Sequence, residues 1–228
     1  MLLSFNTTTE VLSVALFDIK NRTIIASFQE TSPKGHARYL IPSIQALLKD
    51  SDVTFNEIST IAVCCGPGSF TGARIGCATA LGLSIAKNIR AVGISAFQMQ
   101  AAWAFSQISP QDSLVVLLKS GLDEWCVQEL KSDFMPHEGQ FQTPICLNFE
   151  DLLNRLRIGS YTLAGDGVTS FLEQGKPFKD LSLKIQDFSE DMPLWAEWIG
   201  KVTLQLMTSD IFSEVVPLYV RPSYVKIP

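Results

Sequence analysis

A glycine-rich turn at residues 66–76, between a strand-like run and a helical segment, is the part of the sequence best suited to chemistry. Glycines that close a strand and open a helix can aim backbone N–H groups at a phosphate. The specific motifs are incomplete, however. Thr71 stands where a dinucleotide-binding fingerprint requires its third glycine, and no lysine follows before Lys87, as a P-loop would require. Pro67 and Thr71 replace the two glycines of a nucleophile elbow around Ser69. The pattern therefore favours a structural turn over a catalytic one.

Small residues recur at every fourth position of the helix that follows this turn. The repeating positions are Gly72, Gly76, Ala80 and Ser84, with Ala73, Cys77 and Leu81 beside them. Each interior glycine costs a helix roughly 1 kcal/mol relative to alanine, so close packing should offset that cost. A ridge of small residues lets another helix approach closely. The pattern predicts a helix that docks another protein, capped by Ser69 or Thr71, with phosphate binding as the less favoured alternative.

Other chemically capable residues are scattered. His36 begins the first predicted helix, and a helical metal pair would need a second histidine where Leu40 stands, so a cap or a surface position is expected. His137 lies in a loop and is expected to be solvated. Asp166, between two glycines, is typical of a turn, although a metal or phosphate carboxylate is the alternative. Arg74 either pairs across an interface or is an exposed arginine whose stem covers apolar surface. Counting residues does not exclude a Ser-His-Asp or Cys-His site, but no spacing suggests one.

Composition indicates a globular protein without a strong affinity for nucleic acid. The 228 residues are 46% hydrophobic and 18% charged, with a net charge of -5. A chain that grips a phosphate backbone alone usually presents a basic face. Neither a signal peptide nor a run long enough to span a membrane is evident. The five cysteines form no C-x-x-C motif, and we expect buried reduced thiols in a cytoplasmic protein.

Hydrophobic periodicity predicts an α/β chain of two lobes. Residues 1–108 are expected to fold as β-β-β-α-β-α-β-α, with short loops that favour hairpin pairing of the first three strands. A similar order of elements restarts in residues 109–228, beginning with a hairpin and ending with a helix near residues 194–207. The halves share element order but not residues, so a degenerate structural duplication is a hypothesis.

The run GPGSFTGARIG at residues 66–76 resembles the signature of the TsaB family, also called YeaZ, with Ala73 where leucine is usual. Three further segments resemble that family: His36 with Leu40, Pro42 and Ile44 in the first helix, Leu163-Ala164-Gly165-Asp166-Gly167, and Pro217-Leu218-Tyr219-Val220-Arg221-Pro222. The resemblance spans nearly the whole chain. It implies an actin-like ATPase (ASKHA, RNase H-like) duplicated fold with mixed sheets flanked by helices.

The resemblance also implies a function. Proteins of this family are non-catalytic partners in making threonylcarbamoyladenosine next to the tRNA anticodon. The related subunit TsaD carries the metal and transfers the threonylcarbamoyl group, and the ATPase TsaE joins them. The resemblance thus implies no cofactor of this chain's own, indirect contact with tRNA, and a homodimer through equivalent helices when the chain is alone.

The expected interface lies on the first helix and on the small-residue helix. Its positions are His36, Tyr39, Leu40, Ser69, Thr71, Gly72, Arg74, Gly76, Cys77, Ala80 and Leu81. Leucine at Gly72 or Gly76 is expected to abolish partner binding while leaving the monomer folded. Two departures from the family pattern lie elsewhere: Asn6 replaces an aspartate, and residues 119–123 replace a usual Asp-Ala-Arg.

Two rival functions remain open at this stage. The first is an enzyme of the actin-like fold, either an ATPase with nucleotide between the lobes near Asn6, Thr7 and Asp166, or a protease-like protein. The second is a module that binds tRNA directly, which the acidic charge balance disfavours.

Overall fold

The computed structural model describes residues 1–31, 35–108, 114–136, 139–174, 182–185, 193–209 and 211–220. The earlier elements are β1 (Leu2–Asn6), β2 (Val11–Asp18), β3 (Thr23–Thr31), α1 (His36–Asp50), a short 3-10 helix (Phe55–Glu57), β4 (Thr60–Gly66), α2 (Phe70–Lys87), β5 (Arg90–Ser95) and α3 (Ala96–Gln107). The later elements are β6 (Leu114–Lys119), β7 (Glu124–Leu130), β8 (Ile145–Asn148), α4 (Phe149–Leu156), β9 (Ser160–Ala164), α5 (Val168–Leu172), β10 (Ser182–Ile185) and α6 (Trp195–Leu206). His137, Arg221 and Pro222, which the sequence singled out, lie outside the described residues.

The strands form two five-stranded sheets of the same topology. The first has the order β3-β2-β1-β4-β5 and the second, read from its other end, β8-β7-β6-β9-β10. In each sheet antiparallel pairing joins the first three strands in chain order. The other two run parallel to the central strand, β1 in the first sheet and β6 in the second. The hypothesis of a structural duplication is therefore confirmed by strand order and direction.

The chain divides into two compact units. The first unit comprises residues 1–99 and 193–218, and the second comprises residues 100–192 and 219–228. The sequence assigned α6 to the second half, but α6 packs on the first sheet, where Ser4 Oγ donates to the carbonyl of Ala196 at 2.7 Å. Gly200 permits this approach, because a Cβ there would overlap the ring of Phe17. The boundary expected at residue 108 divides the chain by sequence order alone. It therefore missed that residues 193–218 return to the first unit.

Each unit has its own hydrophobic core. In the first, residues of β1, β2 and β4 are covered by α1 and α2, with Leu3, Val14, Ile44 and Ile61 among the buried side chains. The second core surrounds Trp125, whose indole N–H donates to the carbonyl of Gly167 at 2.9 Å. The wholly buried pattern of β1 and β4 follows from helices covering both faces, as in parallel sheets generally.

The cysteines depart from the expectation of five reduced thiols. Cys126 and Cys146 lie directly opposite each other on β7 and β8, with Cα atoms 3.9 Å apart and their sulfurs joined as a disulfide. Cys64, Cys65 and Cys77 are buried free thiols, as expected. The pairing depends on strand register, and the sequence predicted no strand at β8.

Candidate protein-docking surface

The small-residue ridge of α2 faces the protein's own first sheet. A Cβ on Gly72 would overlap the carbonyl oxygen of Thr7, and one on Gly76 would lie 2.6 Å from Thr7 Oγ1 and 3.0 Å from Val63 Cγ2. Ala80 is fully buried on the same side. The sequence was right that close packing requires these glycines, but the packed neighbour belongs to this chain. Gly72, Gly76 and Ala80 are therefore corrected from interface to core positions.

Backbone groups at the start of α2 are held by internal hydrogen bonds. Ser69 caps the helix as expected, because its hydroxyl accepts the Gly72 N–H at 3.1 Å. The Ser69 N–H donates to the carbonyl of Thr8, and the Ala73 N–H donates to the carbonyl of Ser69, both at 2.8 Å. Phosphate binding at a helix start relies on N–H groups that point to a ligand. Three such groups here already have protein acceptors.

The outer side of α2 carries an apolar stripe. Phe70, Leu81 and Ile85 are 47%, 42% and 81% exposed. Thr71 and Arg74 are exposed on the same helix, and the Arg74 guanidinium stacks 3.8 Å from the centroid of the Phe70 ring. Of the expected interface positions on α2, the structure leaves Ser69, Thr71, Arg74 and Leu81 at the surface.

Sequence reasoning missed Phe70 and Ile85. A signal was available, because a helix that buries its small residues must turn the opposite side outward. Large residues at positions 70, 81 and 85, spaced by whole turns, lie opposite the ridge.

Helix α1 lies beside α2, and a groove opens between the two helices. A cavity of about 390 Å³ is lined by apolar side chains of α1, the segment after it and α2, together with Gln45 and Lys49. The apolar lining comprises Ile41, Ile44, Leu48, Val53, Phe55 and Leu83. Ile41 is also 38% exposed. We call the outer stripe of α2 (Phe70, Leu81 and Ile85), with Ile41 and this groove, the α1–α2 face.

Three predicted positions on α1, and Cys77 on α2, point inward to differing degrees. Leu40 is 1% exposed and Cys77 is 2% exposed, so both belong to the first core. Tyr39 is half-buried against that core, with the Arg38 guanidinium 5.4 Å from its ring centroid. Leu40 and Cys77 are thus corrected from the interface to the interior.

His36 is the first residue of α1 and is buried, 8% exposed, which corrects the expected surface position. Gly35, not His36, occupies the cap position. Burial lowers the pKa of His36 below 6.5, and a hydrogen bond to the Glu10 backbone opposes that shift. Its Nε2 has no hydrogen-bond partner among the described residues. Those residues hold no cluster of three metal-ligating side chains.

Asn6 and Asp166 both take part in turns. The amide oxygen of Asn6 accepts from the N–H and the hydroxyl of Thr8 at 3.1 and 2.8 Å, and its amide group donates to Thr9 Oγ1 at 2.9 Å. Asp166 accepts the Lys119 N–H at 3.2 Å. Asn6 is fully buried. Its side-chain amide stabilises the turn between β1 and β2 through these hydrogen bonds.

The chain is similar to known proteins of tRNA threonylcarbamoyladenosine biosynthesis. The model of the family "TsaD: tRNA N6-adenosine threonylcarbamoyltransferase" matches residues 23–132. The tRNA threonylcarbamoyladenosine biosynthesis protein TsaB of Escherichia coli is 36% identical over 45% of this chain and 44% of that protein. The alignment thus spans less than half of that relative. The TsaB protein of Haemophilus influenzae is 26% identical over 96% of this chain and 93% of its own length. The chain is therefore similar to TsaB proteins over nearly its whole length.

Solved structures confirm the fold. YeaZ from Pseudomonas aeruginosa is 23% identical, with a TM-score of 0.75 over 96% of this chain and 98% of that one. A putative N-acetylmannosamine kinase from Listeria monocytogenes is 10% identical with a TM-score of 0.55, covering 91% of this chain and 99% of the kinase. The expected actin-like duplicated fold is therefore correct. Among the described residues, no helix combines the length and apolar character needed to cross a membrane.

Proposed function

We propose that this chain is a TsaB-family protein and acts as a non-catalytic docking and activating subunit for a TsaD-like threonylcarbamoyltransferase. The modified product would be threonylcarbamoyladenosine next to the tRNA anticodon. The names of the relatives support the pathway, since they are called tRNA threonylcarbamoyladenosine biosynthesis proteins. The match to the TsaD family model supports a TsaD-type partner.

The observation that carries the docking role is the apolar outer stripe of α2. Ile85 is 81% exposed, and Leu81 and Phe70 follow it along the same helix. Exposed apolar patches of this kind mark interaction sites. In the proposal, the α1–α2 face packs against apolar helices of the partner, and the same face forms a homodimer when the chain is alone.

The remaining roles are assigned to the partners. ATP and metal belong to the TsaE-like ATPase and the TsaD-like subunit, and the chain itself needs no cofactor. Its net charge of -5 supports indirect contact with tRNA. The complex is placed in the cytoplasm as part of the proposal.

Reconstitution of tRNA threonylcarbamoylation tests the proposal. Omitting this chain should abolish modification by the partner proteins. Ile85→Asp should also abolish capture of the TsaD-like subunit, because it places a charge at the most exposed position of the stripe. The matched control is Ile158→Asp, since Ile158 is 73% exposed in the second unit. Equal unfolding midpoints for both variants would exclude misfolding, and retained capture by Ile85→Asp would contradict the assignment.

The alternative is a nucleotide-binding ATPase or a protease-like enzyme. The similarity of the fold to that of a putative kinase supports this alternative. Against it, Asn6 and the start of α2 use their polar groups in internal hydrogen bonds. Calorimetric titration of the isolated chain with ATP should give no stoichiometric binding, and tight one-to-one binding would favour the enzyme.

A further inference from the structure

We propose that Cys126 and Cys146 form a reversible thiol–disulfide latch that fixes the edge strand β8 against β7. The two residues are direct partners in the antiparallel ladder, and their sulfurs are joined. Partly exposed disulfides are the labile and regulatory ones, whereas deeply buried ones resist reduction. Cys146 is half-buried, while Cys126 is only 2% exposed.

Strand β8 has little else to hold it. It is four residues long and lies at the end of the second sheet. All four of its residues are only half-buried or exposed, and Ile145 and Leu147 pack at the margin of the second core. A strand this short contributes few ladder hydrogen bonds, so one covalent link to β7 is a large part of its attachment.

The latch is coupled to the start of α4. Asn148 ends β8 and caps α4, because its side-chain oxygen accepts the Asp151 N–H at 2.9 Å. Phe149, the next residue, packs edge-on against Trp125 with ring centroids 6.2 Å apart. Opening the latch should therefore loosen both β8 and the first turn of α4.

The exchange reaction needs only a small monothiol such as glutathione. Its thiolate attacks Sγ of Cys146, the sulfur–sulfur bond breaks, and Cys126 leaves with the electron pair and then takes a proton. A second monothiol attacks the mixed disulfide and releases Cys146, and the two monothiols leave as their disulfide. The protein gains two electrons and two protons, which the monothiols supply.

Ser120 is positioned to assist the exposed sulfur. Its Oγ lies 3.9 Å from Cys146 Sγ, within reach for the hydroxyl to donate to a thiolate there. Ser120 belongs to residues 119–123, where the sequence departs from the family pattern.

Thiol trapping and hydrogen exchange on the full chain test the latch. The chain is equilibrated in buffers of reduced and oxidised glutathione, alkylated, and analysed by mass spectrometry. We expect a single Cys126–Cys146 link that forms and opens reversibly with the glutathione ratio. On reduction, amides of residues 145–151 should lose protection while those of β6 keep theirs.

Three variants separate the outcomes. Cys126→Ser and Cys146→Ser should each abolish the redox response, and the matched control Cys77→Ala, at a buried free thiol, should retain it. The proposal is overturned if Cys126 and Cys146 stay alkylatable at every glutathione ratio. It is equally overturned if the link forms but protection of residues 145–151 does not change on reduction.

Discussion

The glycine turn after the fourth strand of each sheet is built alike, but the helix that follows it is not. Gly66 and Gly165 both adopt left-handed φ angles, +100° and +117°, beside backbone carbonyl oxygens. In the first unit the turn leads to the 18-residue α2, and in the second it leads to the five-residue α5. The turn is thus a device of the fold that both sheets share. Among the described residues, the long helix with an apolar outer stripe follows only the first of these turns, which associates the proposed docking role with the helix and not with the turn.

The largest effect is expected where α2 approaches the first sheet. Gly72→Leu should destabilise the chain by about 3 kcal/mol or more, since its Cβ overlaps the carbonyl of Thr7 and overpacked side chains force the backbone to shift. This reverses the expectation from sequence that the variant monomer stays folded. Urea unfolding measures the effect.

Gly82→Ala is the matched control on the same helix, because a Cβ at Gly82 meets nothing within 4 Å. It should stabilise the chain by up to about 1 kcal/mol through helix propensity. If Gly72→Leu unfolds at the wild-type urea concentration, the inward assignment of the ridge is wrong.

Alanine at the two turn glycines should destabilise the two units to different degrees. Gly165→Ala should cost about 1–3 kcal/mol, because the left-handed backbone disfavours a side chain and the new Cβ overlaps the carbonyl of Leu117. Gly66→Ala should cost less, since its Cβ would lie 3.2 Å from the nearest atom, Leu218 O. Thermal unfolding would show the order of the two. Gly121→Ala, at a hairpin tip with open space, should be neutral, and equal losses at Gly66 and Gly165 would contradict the packing argument.

Local patterns in the sequence predicted much of the fold. The hairpins, most of the helices and the Ser69 cap follow from periodicity and capping preference, which act over a few residues. The side of α2 that packs inward was not predicted, because small or apolar residues occur on both of its sides and only the large residues at positions 70, 81 and 85 mark the outer one. The placement of α6 and the pairing of Cys126 with Cys146 were not predicted either, because both depend on contacts between residues far apart in the sequence.

Acid should destabilise the first unit through His36. Because burial lowers its pKa below 6.5 in the folded chain, the unfolded chain takes up the proton first as the pH falls. Stability should therefore be full above pH 6.5 and decline as the pH falls further, by at most about 1.4 kcal/mol per pH unit for one group. Urea unfolding of the wild type and His36→Gln between about pH 7.5 and about pH 5.5, roughly one unit either side of the histidine reference, measures the slope. An equal slope in both proteins would exclude His36 as its source.

The smallest effects should come from the two helix caps, one in each unit. Ser69 accepts the Gly72 N–H at 3.1 Å, and Asn148 accepts the Asp151 N–H at 2.9 Å. Alanine at either position should cost about 1 kcal/mol, as loss of a capping side chain usually does.

The consequences of the two substitutions for partner binding should differ, because only Ser69 begins the helix that carries the apolar stripe. Ser69→Ala should weaken capture of the TsaD-like partner slightly, whereas Asn148→Ala, at equal loss of stability, should leave capture unchanged. Equal weakening by both variants would mean that capture follows overall stability and not the integrity of α2.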